Sequence, residues 1–255
     1  MGVLSSRDNP KVKRWSKLAQ DPRYRRSERR ALIEGPHVLA AALEHRCKPI
    51  AVLATEEGAA DPEIHQLIDR SGVRPVLLSK GVLRAIVDAE TPQGVAAEIA
   101  IPAASDELGN RVAFLEGVQD PGNVGAIIRS AAAFAVQTLV LDQDCADPWS
   151  PRALRAGMGG HFAIQLRQEP NIGSALDAFK GTLVATVPRD GSDLRDAPLQ
   201  GSIAWLFGAE GRGLSEATLR RATSRVRIPL TPGVESLNVA ATAAICFYEA
   251  TRKRS

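Results

Sequence analysis

Short apolar runs alternate with helical periodicity in the first hundred residues. IAVLA (50–54) and PVLLS (75–79) predict strands, because apolar runs of this length suit a buried sheet. Between them, 61–72 predicts a helix that begins with an Asp-Pro pair and ends at a glycine. A third strand is predicted in GVAAEIAIP. Strands that alternate with helices in this way predict an α/β unit.

A stretch of small, polar and turn residues, PAASDELGN (102–110), predicts a linker, and we place a domain boundary near residue 105. Beyond it, the predicted strands are RVAFLEG (111–117), QTLVLDQ (137–143), HFAIQLR (161–167), TLVATVP (182–188), SIAWLFG (202–208) and RVRIPL (225–230). Their largely apolar character is typical of parallel strands buried on both faces. The predicted terminal helix, 238–254, is apolar around most of its circumference, so we expect it to be buried or to lie at a subunit interface.

Charge is distributed unevenly, although the formal net charge is only +3. Residues 1–30 contain ten lysines and arginines against three acidic residues, so this segment carries +7 and the rest of the chain carries −4. A basic N-terminal arm indicates a phosphate-rich partner such as nucleic acid. An ordinary solvated, charged helix is the alternative interpretation.

The composition, 44% hydrophobic and 24% charged, is typical of a soluble globular protein. No apolar run reaches the ~18 residues that a membrane-spanning helix needs, and the N-terminus lacks the apolar region of a signal peptide. We therefore expect a cytoplasmic protein. The three cysteines lie far apart, without a C-x-x-C pair or a cysteine–histidine cluster, so neither a disulfide framework nor a metal site is expected.

Glycine and polar residues occur in three stretches where predicted strands run into loops, which is where open α/β sheets bind ligands. The first is LEGVQDPGNVGAIIRSA (115–131), in which Asn123 is a suitable helix cap. Arg129 follows six residues later in a helix that is otherwise small and apolar. An arginine on such a buried face needs anionic or carbonyl partners, so it is either a functional residue or half of an internal ion pair.

The second stretch, LFGAEGRGL (206–214), has Gly208, where a backbone could approach a ligand closely, and Glu210, which could bind a hydroxyl or an amine. Its G-x-x-G-x-G spacing departs from the dinucleotide fingerprint, and no phosphate-binding P-loop motif occurs, so a nicotinamide or nucleoside-triphosphate enzyme is disfavoured. The third stretch is IPLTPGVESLNVAATAA (228–244). Ser236 and Asn238 both precede the terminal helix there, and because one helix needs only one cap, the pair could instead line a pocket.

Together, D-P-G-N-x-G-x-x-x-R-S-A (120–131), L-F-G-A-E-G-R-G-L (206–214) and I-P-L-x-P-G-x-E-S-L-N-V-A (228–240) resemble the three motifs of the SpoU–TrmH family. That family comprises S-adenosylmethionine-dependent RNA ribose 2′-O-methyltransferases of the SPOUT superfamily. The segment 147–162 also resembles the stretch that the family carries between its first two motifs. The resemblance covers about residues 110–252.

The resemblance implies a parallel α/β sheet with helices on both faces, a C-terminal trefoil knot and a homodimer packed through the knot. It divides the chain into the basic arm 1–30, a small α/β substrate-binding domain over 27–102, similar to kink-turn-binding ribosomal proteins, and a SPOUT methyltransferase domain over 110–255. RRALIEGPHVLAAAL carries the weaker likeness of the front domain. RNA is the implied partner, with no membrane and no metal ion.

Residue roles also follow from the resemblance. Main-chain atoms of Gly208, Ile228 and Leu237 are expected to hold S-adenosylmethionine. Arg129 matches the arginine assigned to activating the 2′-hydroxyl, and Asn123 matches the asparagine that orients it. The remaining expected site residues, which hold the nucleotide and order the site, are Glu210, Ser236 and Asn238.

Several alternatives remain open at this point. The fused front domain favours ribosomal RNA as the substrate, but the substrate could instead be transfer RNA. The chain could methylate a base, or it could be a non-catalytic RNA-binding protein with a degenerate transferase domain. Binding of S-adenosylmethionine separates the last possibility from an enzyme.

Overall fold

The computed structural model describes residues 2–87 and 91–252. Its helices are α1 (Pro10–Gln20), α2 (Pro22–Glu28), α3 (Pro36–Glu44), α4 (Glu56–Ala60), α5 (Pro62–Ser71), α6 (Lys80–Ile86), α7 (Pro121–Ala133), α8 (Pro151–Gly157), α9 (Gly173–Ala178), α10 (Glu216–Arg221) and α11 (Val239–Thr251). Its strands are β1 (Arg30–Glu34), β2 (Pro49–Ala54), β3 (Val76–Leu77), β4 (Val95–Ala100), β5 (Arg111–Glu116), β6 (Thr138–Asp142), β7 (Gln165–Glu169), β8 (Thr182–Thr186), β9 (Ser192–Asp193), β10 (Ile203–Gly208) and β11 (Ser224–Arg227). Short 3-10 helices cover Gly160–Phe162 and Leu194–Asp196. The last two residues of the predicted terminal helix, 253 and 254, lie outside the described residues.

The chain forms two compact units. Unit 1 consists of 1–103 together with 147–162, and unit 2 consists of 104–146 together with 163–255. The boundary at 103/104 lies next to the expected one. Residues 147–162, however, belong to unit 1 rather than to the continuous second domain expected over 110–255. No helix among the described residues is long and apolar enough to cross a membrane.

Unit 1 contains a four-stranded sheet in the order β1-β4-β2-β3. Strand β4 runs antiparallel to both β1 and β2, whereas β2 and β3 are parallel. The alternation of strands and helices predicted for this part is present, with β1 as an additional strand. Glu98 is fully buried in β4, where it accepts hydrogen bonds from Arg14, Trp15 and Arg30.

Residues 2–30 are folded into unit 1 and do not form a separate arm, which corrects that expectation. Helix α1 follows an Asn9 cap and places Val12, Trp15 and Leu18 on one face, in the core of unit 1. The charge excess of the segment gave no sign of this burial. The reason is that the apolar residues recur every three positions between the cations, so one helix has a buried stripe and a charged remainder.

The segment 147–162 is anchored inside unit 1. Trp149 is buried, with its ring 5.3 Å from that of His161 and 6.2 Å from that of Phe162, measured between centroids. Arg25, which is 2% exposed, donates from Nε to Oδ2 of Asp147 at 2.8 Å. The segment therefore contributes core contacts and a buried ion pair to unit 1.

Unit 2 contains a seven-stranded sheet in the order β7-β6-β5-β10-β8-β11-β9, and every strand pair in it is parallel. Alternate residues of its strands face two different hydrophobic clusters. Along β10, for example, Trp205 and Phe207 lie in the cluster that includes α7 and α11. Ala204 and Leu206 lie in the cluster that includes α9. The prediction of a parallel sheet with helices on both faces is confirmed.

Candidate active site

The polar candidates of unit 2 lie where its parallel strands end. Loops that follow β8, β10 and β11 enclose a cavity of about 640 Å³. It is lined by Thr186, Val187, Pro188, Arg189, Gly208, Ala209, Glu210, Gly211, Gly213, Ile228, Leu230, Glu235, Ser236, Leu237, Asn238, Val239 and Thr242. The carboxyl edge of a parallel sheet is the usual ligand-binding edge of such folds.

Three of the predicted site residues form a closed hydrogen-bonded cluster. Nδ2 of Asn123 donates to Oε1 of Glu210 at 2.7 Å. Nδ2 of Asn238 donates to the same carboxylate oxygen at 3.0 Å and to Oδ1 of Asn123 at 2.9 Å. Residues 115 positions apart in the sequence therefore meet, and each of the three motifs supplies one member.

Asn123 is available for this cluster because another residue caps its helix. The N-cap of α7 is Asp120, whose Oδ1 accepts a hydrogen bond from the Asn123 backbone N–H at 2.9 Å. The expectation that Asn123 is the cap is therefore wrong. Pro121 at the first helical position, where no N–H is needed, lets the helix start two residues before Asn123.

Asn238 performs both of the tasks between which the sequence left a choice. Its Oδ1 caps α11 by accepting from the N–H groups of Ala240 and Ala241, at 2.9 and 3.3 Å. Its Nδ2 remains free to join the cluster. Ser236 lines the cavity and is exposed, and it makes no side-chain hydrogen bond within the described residues.

Gly208 is required by the closure of its own loop. A Cβ at this position would overlap the carbonyl carbon of Gly213 and the nitrogen of Leu214. The N–H of Gly213 donates to the carbonyl of Ala209 at 2.9 Å, so the loop folds back on itself directly after β10. We expected Gly208 to let a ligand approach the backbone, but in the structure it is the backbone of Gly213 and Leu214 that lies against Gly208. This loop closure holds Glu210 at the cavity.

Two acidic residues that the sequence reasoning missed stabilise these loops. Glu116, at the end of β5, accepts from the N–H of Ser215 at 2.9 Å, from its hydroxyl at 2.7 Å and from the Thr218 hydroxyl at 3.0 Å. Asp142, at the end of β6, accepts from the N–H groups of Gly117 and Cys145, both at 3.0 Å. An acid at the last position of an apolar strand was the available signal for both.

Arg129 lies on α7 but is not part of the cluster or of the cavity wall. Its side chain is exposed, which corrects the expectation of a buried face. Within residues 2–87 and 91–252, no group accepts a hydrogen bond or an ion pair from its guanidinium. The apolar residues around it in the sequence turn inward, whereas position 129 points to the surface.

All three residues expected to hold a cofactor, Gly208, Ile228 and Leu237, line the cavity. The segment 229–237 belongs to no helix or strand. Among the described residues its one backbone–backbone hydrogen bond runs from the N–H of Val234 to the carbonyl of Thr231, at 3.2 Å. The main chain of this segment is therefore free to bind a ligand.

Neither a cysteine nor a histidine occurs among the described residues that line the cavity. Burial and the neighbouring Asp142 raise the pKa of the Cys145 thiol to about 12, so it stays protonated at neutral pH. Within the described residues, no cluster of histidine, cysteine and acidic side chains could hold a metal ion. The arrangement instead offers a carboxylate fixed by two amides, next to a cavity with an uncommitted main chain.

A family model for the SpoU rRNA methylase family matches residues 110–248, more than half of the chain. The chain belongs to the SpoU rRNA methylase family. A second model, for the MRM3-like substrate-binding domain, matches residues 9–97. The two matched ranges lie on either side of the boundary between the units of this SpoU-family member.

Similar SpoU-family proteins are curated RNA methyltransferases. The chain is 32% identical to the 23S rRNA (guanosine(2553)-2′-O)-methyltransferase RlmP of Bacillus subtilis, over 97% of this chain and 98% of that protein. It is 30% identical to the 23S rRNA (guanosine-2′-O-)-methyltransferase RlmB of Coxiella burnetii, over 87% and 95% of the two chains. The AdoMet-bound rRNA methyltransferase from Sinorhizobium meliloti matches with a TM-score of 0.85 and 27% identity, over 98% of this chain and 97% of that one.

Proposed function

We propose that this protein transfers a methyl group from S-adenosylmethionine to a ribose 2′-hydroxyl in ribosomal RNA. The observation that carries the proposal is the cluster of Asn123, Glu210 and Asn238 at the cavity of unit 2. The three motifs of the family meet at that point. The related RlmP and RlmB proteins, named as 23S rRNA guanosine 2′-O-methyltransferases, support both the reaction and the class of RNA.

The cavity fits the cofactor in size and chemistry. Its volume of about 640 Å³ lies within the usual ~300–1,000 Å³ of ligand pockets. Ile228, Leu230 and Leu237 provide an apolar wall, and the free main chain of 229–237 provides donors and acceptors for an adenosyl group. Gly208, Ile228 and Leu237 would hold S-adenosylmethionine, which when bound supplies a methyl group on a positively charged sulfur.

The chain's own residues must position the acceptor, because a ribose hydroxyl is a weak nucleophile until it is oriented and its proton is polarised. Glu210 has one oxygen committed to two amide groups, so its carboxylate is held in one orientation. We assign to this carboxylate, with Ser236, the task of ordering the nucleotide. Asn123 lies on α7, so its hydrogen bond to Glu210 fixes the carboxylate relative to that helix.

Arg129 is the residue to which we assign contact with the acceptor. A guanidinium has five hydrogen-bond donors and no acceptor, so an arginine does not act readily as a free-standing base. Arg129 is exposed and without a partner in the described chain, which suits a group that grips the substrate phosphate and ribose together. The phosphate, or a transiently neutral guanidine, would then take the hydroxyl proton.

Unit 1 supplies cations for RNA binding. Of the ten in residues 1–30, Arg25 is buried, Arg14 and Arg30 bind Glu98, Lys13 binds Asp8 and Lys17 lies over the Tyr24 ring. The exposed cations without such partners are Arg7, Lys11, Arg23, Arg26 and Arg29. RNA affinity should therefore fall as salt rises.

The proposal includes a homodimer, a trefoil knot at the C-terminus and a cytoplasmic site of action. Support for the dimer comes from α11, which exposes Ile245 and Tyr248 although most of the helix is apolar. Support for the knot comes from the family resemblance of the three motifs. Sedimentation velocity of the purified chain tests the dimer.

The test of the function is methylation of ribosomal RNA by the purified chain, with the product mapped as a 2′-O-methyl nucleotide. Arg129→Lys keeps the charge but loses the planar fork, and we expect at least a tenfold loss of single-turnover rate, about 1.4 kcal/mol. Near wild-type turnover would contradict the assignment of Arg129. Calorimetry that detects no S-adenosylmethionine binding would favour a non-catalytic RNA-binding protein.

A further inference from the structure

Arg189 is a cavity residue to which neither the motifs nor the chemistry above gives a role. It follows β8 in the sequence Val-Pro-Arg-Asp and lines the cavity together with Thr186, Val187 and Pro188. The residue is exposed. Within the described residues its guanidinium has no hydrogen-bond or ion-pair partner. It is also the one basic residue in the described lining of the cavity.

The acidic residues of the cavity do not neutralise this cation. Glu210 is committed to the amide groups of Asn123 and Asn238. Glu235 also lines the cavity, and no ion pair within 4.0 Å joins it to Arg189 in the described structure. The cavity wall thus carries one uncommitted cation and one uncommitted carboxylate, in addition to its apolar surface and free main chain.

S-adenosylmethionine has an end that this combination matches. Apolar side chains and main-chain groups of the cavity would suit its adenosyl part, but its amino-acid end carries an α-carboxylate and an ammonium group. A guanidinium binds a carboxylate through two parallel hydrogen bonds, and such charge-assisted bonds are among the strong ones. No other cation in the described lining could take that role.

We propose that Arg189 binds the α-carboxylate of the methionyl end of S-adenosylmethionine. This inference rests on the proposed function, because it places the cofactor in the same cavity. Arg189 is then a cofactor-binding residue. The loop after β8 would therefore favour ligands that retain the amino-acid end of S-adenosylmethionine. Glu235 is the acid available to the ammonium group of the same end.

The test compares two ligands by calorimetry on the full chain. S-adenosylhomocysteine retains the amino-acid end, whereas 5′-methylthioadenosine has the adenosine and the thioether without it. We expect Arg189→Ala to weaken binding of S-adenosylhomocysteine by about 10-fold or more and to leave binding of methylthioadenosine unchanged. Arg189→Lys should fall between wild type and alanine for S-adenosylhomocysteine alone.

Arg220→Ala is the matched control, since Arg220 is exposed on α10, pairs with Glu216 and does not line the cavity. It should change neither affinity. An equal effect of Arg189→Ala on both ligands, or none on either, would overturn the inference while the proposed function stands. Unchanged cofactor affinity with a raised KM for RNA would overturn it too, because Arg189 would then serve the RNA. A wild-type chain that binds neither S-adenosylmethionine nor S-adenosylhomocysteine would refute the proposed function itself.

Discussion

Replacing Arg25 by alanine should destabilise unit 1 strongly, although Arg25 is one of ten cations in a segment whose charge suggests a solvated surface. The guanidinium is 2% exposed and makes three hydrogen bonds. Nε donates to Asp147 at 2.8 Å, and Nη1 donates to the carbonyls of Leu18 and Ala19 at 2.7 and 2.8 Å. Both carbonyls belong to the last turn of α1, where the carbonyl groups have no N–H donors within the helix.

The expected loss follows from what the substitution leaves behind. Asp147 would retain the hydrogen bond from the Trp149 N–H at 2.9 Å but would lose its only counter-charge among the described residues. Removing one partner of a buried ion pair costs about 3–5 kcal/mol, which includes the unsatisfied groups that remain. We therefore expect about 4 kcal/mol, a large share of the ~5–15 kcal/mol that stabilises a typical domain.

Urea unfolding followed by tryptophan fluorescence measures this effect. Trp15 and Trp149 report on unit 1, and Trp205 reports on unit 2. With a slope of about 2 kcal/mol per M, a loss of 4 kcal/mol shifts the unit 1 midpoint by about 2 M. The transition of unit 2 provides an internal reference in the same experiment.

Arg23→Ala provides the control, because Arg23 lies two residues away on the same helix and its exposed side chain makes no hydrogen bond and no ion pair within 4.0 Å in the described chain. Its substitution should change stability by no more than about 0.5 kcal/mol. If Arg25→Ala and Arg23→Ala unfold at the same urea concentration, the buried ion pair does not stabilise unit 1 and the reasoning fails.

Two further substitutions test the loop closure and the buried histidine. Gly208→Ala should reduce S-adenosylhomocysteine affinity at least tenfold and lower the melting temperature, because the loop cannot close with a Cβ against Gly213; Gly81→Ala, where a Cβ meets nothing within 4 Å, should do neither. Equal affinities for the two variants would contradict the closure argument. Burial lowers the pKa of His161 to about 4. Between pH 6.5 and about 4, His161 is therefore protonated in the unfolded chain but not in the folded chain. As the pH falls through this range, the free energy of unfolding should decrease more steeply in wild type than in His161→Gln, by up to about 1.4 kcal/mol per pH unit. The glutamine keeps a donor for the Pro148 carbonyl. Parallel stability curves from pH 4 to pH 6.5 would show that His161 does not titrate in this way.

The sequence was sufficient for features that depend on local pattern. Largely apolar runs predicted the strands of unit 2 except the two-residue β9, and the glycine-rich and polar stretches predicted which strand ends carry the site. Asn123, Glu210 and Asn238 were found in this way, since they lie in the three polar stretches that follow predicted strands. Their roles in the reaction stay predictions.

Tertiary structure decided what depends on contacts between distant residues. Arg25 and Asp147 are 122 residues apart, and nothing local separates this buried arginine from the exposed Arg26 beside it. For the same reason the segment 147–162 could not be assigned to unit 1 from its position between β6 and β7. Arg189 resembles any loop arginine until the loops after β8, β10 and β11 enclose one cavity.

The charges of residues 1–30 show most clearly how what the sequence determines differs from what the tertiary structure decides. The sequence by itself determined that the first thirty residues carry an excess of seven positive charges. Only the fold decided which of these cations form ion pairs with Glu98 and Asp147 and which remain on the surface. The physical reason is that a charge is present in the chain from the start, whereas its desolvation and its partner exist only after distant segments have packed together.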